Sequence, residues 1–159
     1  MVAAVLMAGP SAWIAWRHPD VRWISRDALA ARLASPDPPL LLDARTEAEV
    51  AVSTIEGARR IDPSAPALDE VPRDRDVVVY CSVGVRSADV AERLGAAGHT
   101  RVWSLEGGIF AWADEGRPLW RAGARTDVVH PYDALWGLLL RAELRAPISG
   151  RGARASGGS

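Results

Sequence analysis

The feature that most constrains this chain is a regular alternation of short apolar runs with segments of helical spacing. Residues 21–24, 40–42, 77–80 and 101–103 form the apolar runs, and segments with helical signals separate them. Strands that alternate with helices in this way predict an α/β domain built on a mainly parallel sheet. Ligands of such sheets bind beyond the carboxyl ends of the strands, so residues that follow the runs are the first candidates for a site.

Helix boundaries can be predicted at several points between the runs. Ser25 is suited to cap a helix over 26–34, and Thr46 a short helix whose first turn holds Glu47 and Glu49. A longer helix over 86–97 is expected to end at Gly98, since glycine is favoured just past a helix C-terminus.

Composition excludes several classes of protein. The 159 residues carry a formal net charge of −1, which argues against a partner such as nucleic acid, and an apolar fraction of 48% is ordinary for a globular domain. The chain has one cysteine, Cys81, so an internal disulfide, a cysteine-cluster metal site and a second resolving thiol are all excluded.

The N-terminal segment, residues 1–20, reads as an apolar extension of the domain. Residues 1–16 carry no charge, but they are fewer than the roughly 20 apolar residues of a membrane span, and Gly9 and Pro10 interrupt them. No positive residues precede the run as they would in a secretory signal. We favour a packed or loose extension of a cytoplasmic protein over a membrane anchor or a signal peptide.

The C-terminal part is predicted to hold a helical extension over 121–148 and a disordered tail over 149–159. A helix over 128–146 would place Leu135, Trp136, Leu139 and Leu140 along one stripe. Such a stripe packs against its own domain or, as the alternative, binds a partner. The tail is rich in glycine, serine and arginine, a composition typical of linkers.

The chain's chemistry is expected at Cys81, which directly follows the apolar strand 77–80. Residues 82–85 form a short loop, and Arg86 and Ser87 then open the helix. Loop amides, a helix N-terminus and a guanidinium can therefore converge on the sulfur, and each favours a thiolate or binds an anion. A lone cysteine is otherwise more often a small buried hydrophobe, and this setting favours the nucleophile.

Three segments in register now point to a family. They read LLDAR over 41–45, VVYCSVGVRS over 78–87 and VWSLEGGIFAW over 102–112. Their order and spacing resemble the single-domain form of the rhodanese family of sulfurtransferases. The resemblance implies a three-layer rhodanese-like fold over 21–120. Thr54 and Glu56 stand where the family commonly has His and Pro, and we expect that change to affect the shape of a loop more than the chemistry.

The resemblance implies a thiosulfate sulfurtransferase that carries sulfane sulfur as a persulfide on Cys81. Its donor would be a small anionic sulfur compound, and its acceptor a thiol, a cyanide-like molecule or a protein. No metal or cofactor is expected. Arg86 is assigned to the anionic end of the donor, and Asp43 with Arg45 to support of the neighbouring strand end. The expected substrate-binding residues are Ser82, Val83, Gly84, Val85 and Arg86, and the supporting residues are Asp43, Arg45, Ser87 and Glu106.

Two other functions stay open on the same fold. One is a sulfur carrier or protein-interaction module without turnover. The other is a phosphatase or arsenate reductase, whose related folds have a loop one residue longer between cysteine and arginine. Four residues separate Cys81 from Arg86, and the smaller cradle suits a single sulfur atom better than a tetrahedral phosphate.

Overall fold

The computed structural model describes residues 2–148, so the predicted disordered tail over 149–159 lies outside the described residues. The larger part of the chain forms one five-stranded sheet flanked by helices. In chain order the elements are α1 (Val2–Arg17), β1 (Trp23–Ile24), α2 (Arg26–Leu33), β2 (Leu40–Asp43), α3 (Glu47–Val52), β3 (Arg59–Arg60), β4 (Val77–Tyr80), α4 (Val85–Ala96), β5 (Val102–Leu105), α5 (Gly108–Asp114), β6 (Leu119–Arg121) and β7 (Ala124–Thr126).

The sheet confirms the predicted α/β architecture. Its strand order is β1-β5-β4-β2-β3, and every pair is parallel. β4 lies at the centre, and all four of its residues are buried, as expected for a parallel strand covered on both faces. Its carboxyl end, where Cys81 follows, therefore lies in the middle of one rim of the sheet.

The alternation of side chains along β4 divides the core into two layers. Val78 and Tyr80 belong to a cluster that includes residues of α2 and α5. Val77, Val79 and Cys81 belong to a second cluster that includes residues of α4. Helices on both faces of the sheet give the three-layer fold, and Cys81 continues the strand's alternation toward α4.

The predicted helix caps are confirmed. The Ser25 side chain accepts a hydrogen bond from the Ala28 amide at the start of α2. Thr46 and Glu49 form a reciprocal capping box at α3, in which each side chain bonds the other residue's backbone amide. α4 ends one residue before the predicted position, and Gly98 follows with φ +94°.

The N-terminal extension forms α1, which packs on the domain at its C-terminal end. Ile14 is buried, and its Cδ1 lies 3.8 Å from the position that a Cβ on Gly84 would take. His18 Nδ1 lies 2.9 Å from a carboxylate oxygen of Glu92 on α4. Within residues 2–148, no helix combines the length and the hydrophobicity that crossing a bilayer requires.

The predicted α-helix over 128–146 is wrong. The antiparallel hairpin of β6 and β7 precedes this region, and only two short 3₁₀ helices occur in it, Trp136–Leu139 and Ala142–Leu144. Pro131 and Gly137 interrupt the apolar stripe, and both disfavour an α-helix interior. Backbone hydrogen bonds between Val129 and the region of Arg145 instead close the segment into a loop.

The loop in which Thr54 and Glu56 depart from the family pattern is held by the C-terminal hairpin. Thr54 exchanges two backbone hydrogen bonds of 2.8 Å with Trp120 on β6. The Ile55 amide donates to the hydroxyl of Tyr80 at 3.1 Å. Trp120, at the C-terminal limit of the predicted unit, and Tyr80 at its centre therefore fix the loop that the two replacements alter.

Candidate active site

Cys81 lies directly beyond the carboxyl end of β4 and is 1% exposed. Its Sγ accepts a hydrogen bond from the Gly84 amide at 3.1 Å, and the Ser87 hydroxyl lies 3.6 Å from it. The sequence predicted that the amides of the loop that follows Cys81 converge on the sulfur. Of these amides, the Gly84 amide alone hydrogen-bonds the sulfur, and the Ser87 hydroxyl supplies the second polar contact.

The turn at Gly84 makes this contact possible. Gly84 has φ +125°, a conformation that L side chains rarely adopt, and α4 begins at the next residue. A Cβ at this position would lie 3.4 Å from the Trp23 ring. The tight turn brings the first turn of α4, with its partial positive charge, close behind the sulfur.

The closing motif holds the other side of the Cys81 loop. The amides of Ile109 and Phe110 donate to the carbonyls of Cys81 and Ser82 at 2.9 and 3.1 Å. This approach requires Gly108, because a Cβ there would lie 2.4 Å from the Ser82 oxygen. The supporting role predicted for Glu106 involves its backbone, whose carbonyl accepts from Arg26, while its side chain is exposed.

Arg86 forms an ion pair with Glu49, a residue that the sequence analysis did not include in the site. The two terminal nitrogens of Arg86 donate to the two Glu49 carboxylate oxygens at 2.7 and 2.8 Å. One of these nitrogens also donates to the Ser82 hydroxyl at 2.9 Å. The guanidinium was predicted to face the donor anion. Glu49 offsets the positive charge of Arg86. Three of the five N–H groups of Arg86 are engaged within the protein, two by Glu49 and one by Ser82.

Glu49 is buried and fully hydrogen-bonded. It accepts from the Thr46 amide and hydroxyl at 2.9 Å and from the Ser82 hydroxyl at 3.0 Å, besides Arg86. Burial raises the pKa of this carboxyl, but the hydrogen bonds from Arg86 and Thr46 outweigh burial and lower it from 4.5 to about 2. An ionised carboxylate therefore links the capping box of α3 to the Cys81 loop.

A second buried ion pair lies at the end of β2. Arg45 donates to both oxygens of Asp43 at 2.8 and 2.7 Å, and the Tyr80 hydroxyl donates to Asp43 at 2.6 Å. The pKa of Tyr80 is raised well above 10 by burial and by the nearby charge of Asp43. The Arg45 guanidinium also donates to the Ser53 carbonyl, so the pair links β2 to the end of α3.

The Ser87 hydroxyl connects the sulfur to the neighbouring strand. Besides its contact with Cys81, its oxygen lies 3.2 Å from the Gly84 carbonyl oxygen and 2.9 Å from the hydroxyl oxygen of Ser104 on β5. Ser87 and Ser104 are fully buried. Ser104 directly follows the apolar run 101–103, and the sequence analysis did not assign it to the site.

A small cavity of about 140 Å³ opens on Cys81. Residues of the Cys81 loop form part of it, and two aromatic side chains from the C-terminal segment form the rest. Its lining residues are Cys81, Ser82, Val83, Val85, Arg86, Tyr132 and Trp136. A larger, mainly apolar cleft of about 610 Å³ beside α2 contains no residue of this loop.

Comparison with known proteins agrees with the geometry. A family model described as Rhodanese-like domain matches residues 25–115, more than half of the chain. The chain belongs to the rhodanese-like family. A sulfurtransferase of Allochromatium vinosum is 41% identical over 101 residues, which are 62% of this chain and 94% of that protein.

Of two further similar proteins, this chain matches one over nearly its whole length and the other over less than half. The rhodanese-like domain protein of Staphylococcus aureus, a solved structure, has a TM-score of 0.57 and 33% identity, and the match covers 64% of this chain and 98% of that one. A tRNA uridine(34) hydroxylase of Bradyrhizobium diazoefficiens is 33% identical over 104 residues, 58% of this chain but 39% of that protein. Residues 116–148 lie outside the family match.

Proposed function

We propose that the protein transfers sulfane sulfur from thiosulfate, or a similar small anionic donor, to a thiophilic acceptor through a persulfide on Cys81. The observation that carries the proposal is the position of the sulfur. Cys81 lines a small cavity, and its Sγ accepts a hydrogen bond from the amide of Gly84, the residue directly before α4. An amide donor and a helix N-terminus both stabilise negative charge on sulfur.

The reaction takes two displacements. The Cys81 thiolate attacks the outer sulfur of thiosulfate, a sulfur–sulfur bond forms, and the donor's own sulfur–sulfur bond breaks with its electron pair leaving on sulfite. The acceptor, for example cyanide, then attacks the terminal sulfur of the persulfide. Thiocyanate leaves, and the electron pair of the broken bond returns to Cys81 as a thiolate, so the cycle needs no external oxidant or reductant.

The neighbouring residues have distinct roles in this scheme. The Gly84 amide and the Ser87 hydroxyl stabilise the sulfur anion that forms in each displacement. Arg86 contributes to donor binding through the N–H groups that it does not give to Glu49 and Ser82. Asp43, Arg45 and the turn at Gly108 hold the loop in place and take no part in the bond changes.

Incubation with thiosulfate and cyanide tests the proposal. The wild type is expected to form thiocyanate, and Cys81→Ser is expected to form none, while Glu47→Gln on the solvent side of α3 serves as the control and keeps full activity. Thiocyanate formation that survives in Cys81→Ser would contradict the proposed role of the thiol. A persulfide that forms without turnover would favour the carrier function, and hydrolysis of p-nitrophenyl phosphate would favour a phosphatase.

A further inference from the structure

The C-terminal segment reaches back to the active-site rim. Residues 129–146, here called the strap, follow the β6–β7 hairpin and lie outside the family match. The Val129 amide donates to the Leu144 carbonyl at 2.7 Å, and the Ala146 amide to the Val129 carbonyl at 2.9 Å. Val129 and Leu140 are buried in the main core. Both ends of the strap are therefore fixed to the domain.

The tip of the strap is held in shape by its own hydrogen bonds. The Tyr132 amide donates to His130 Nδ1 at 3.0 Å, and the Trp136 amide to the Asp133 carboxylate at 2.8 Å. Tyr132 has φ +67°, which a residue with a large side chain seldom adopts. Backbone strain of this kind persists only where the surroundings impose it, and it is common at functional sites.

This conformation places two aromatic rings against the Cys81 cavity. Tyr132 and Trp136 both line it, and the Arg86 guanidinium carbon lies 4.9 Å from the centre of the Tyr132 ring. This cation–π contact gives Arg86 a further partner besides Glu49 and Ser82. The rings and the loop together leave about 140 Å³.

That volume limits what can reach the sulfur. The space of about 140 Å³ is well below the roughly 300–1,000 Å³ of pockets that enclose drug-sized ligands. A small anion such as thiosulfate suits a site of this size better than a tripeptide thiol such as glutathione. We propose that Tyr132 and Trp136 are specificity-determining residues that restrict Cys81 to sulfur donors and acceptors of a few heavy atoms. The inference deepens the proposed function and rests on it for its substrates.

Alkylation of the single cysteine tests the inference without turnover. The rate with a bulky reagent, fluorescein-5-maleimide, is divided by the rate with iodoacetamide, which corrects for changes in thiol reactivity. Tyr132→Gly and Trp136→Ala are expected to raise this ratio by roughly tenfold. Glycine adopts φ +67° without strain, so Tyr132→Gly removes the ring without forcing a new backbone conformation. Leu138→Ala is the control, since Leu138 lies on the strap, is 66% exposed and does not line the cavity.

A ratio unchanged in both variants, or raised equally in Leu138→Ala, would overturn the inference. In turnover, Tyr132→Gly is expected to raise kcat/KM for glutathione as acceptor relative to cyanide, and Tyr132→Phe, which keeps the ring, is expected to match the wild type. Failure of the proposed function would abolish turnover in every variant, including the wild type. The alkylation ratio would still respond to the strap, so the two failures are distinguishable.

Discussion

Replacing the buried carboxylate of Glu49 with an amide is expected to lower stability by a calculable amount. The side chain is 1% exposed and pairs with Arg86 at 2.7 Å, so Glu49→Gln leaves the guanidinium half-buried without its counter-charge. The pKa of Glu49 lies at about 2 instead of 4.5. One pKa unit corresponds to about 1.4 kcal/mol, so the ionised carboxylate contributes about 3 kcal/mol to the free energy of unfolding at neutral pH.

The contribution should depend on pH in a defined direction. A carboxyl whose pKa is lowered by folding stabilises the protein above its unfolded pKa, 4.5, and this stabilisation is lost as pH falls through the folded value, about 2. The difference in unfolding free energy between wild type and Glu49→Gln is therefore expected to be about 3 kcal/mol at pH 7 and about 1 kcal/mol at pH 3.

Urea unfolding followed by the fluorescence of the seven tryptophans measures both values. Glu47→Gln is the matched control, because Glu47 lies on the same helix but its side chain is 88% exposed. It is expected to change stability by less than about 0.5 kcal/mol. Equal losses of stability in the two variants, or the same loss in Glu49→Gln at pH 7 and pH 3, would contradict a stabilising role of the ionised Glu49 carboxylate.

Two further substitutions test the supports of the Cys81 loop. Gly108→Ala places a Cβ against the Ser82 carbonyl oxygen and is expected to lower thiosulfate:cyanide activity by roughly 100-fold. Gly116→Ala is the control, because Gly116 has φ +72° but open space around it. This control is expected to lower the free energy of unfolding by about 1 to 2 kcal/mol and to leave the activity unchanged. Equal activity in these two variants would contradict the proposed contact. Tyr80→Phe removes the hydroxyl bonded to Asp43 and Ile55 and should lower the unfolding free energy by about 2 kcal/mol in urea, and an unchanged midpoint would contradict this estimate.

The parallel sheet and the place of Cys81 could be predicted because their signals are local. The run 77–80 contains only apolar or aromatic residues, which a central parallel strand requires, and the residue after it must lie on the sheet's rim. Ser25 and Thr46 correctly predicted the starts of α2 and α3, because a helix cap depends only on residues within one turn. These features needed no knowledge of distant contacts.

The pairing of Arg86 could not be read from the sequence in the same way. Arginine at the start of a helix beside a cysteine suggests an anion partner, but Glu49 lies 37 positions earlier. Its burial depends on how α3 packs against the Cys81 loop. The sequence shows Glu49 in the first turn of α3, three residues after the cap Thr46. It does not show that the same carboxylate also bonds Ser82 and Arg86 of the Cys81 loop.

The C-terminal segment shows the limit of periodicity as a signal. Leu135, Trp136, Leu139 and Leu140 have helical spacing, yet Leu135 is exposed while Leu140 is buried in the core. Pro131 and Gly137 break the segment, and the backbone pairing near Val129 outweighs helix propensity. The sequence therefore did not reveal that Tyr132 and Trp136 line the site.

Intact-protein mass spectrometry after thiosulfate treatment measures directly whether Cys81 takes up sulfur. The wild type is expected to gain the mass of one sulfur atom and to lose it on addition of cyanide, and Cys81→Ser is expected never to gain it. A wild-type protein whose mass stays unchanged after thiosulfate, or a sulfur adduct that also forms in Cys81→Ser, would contradict sulfur transfer at this site.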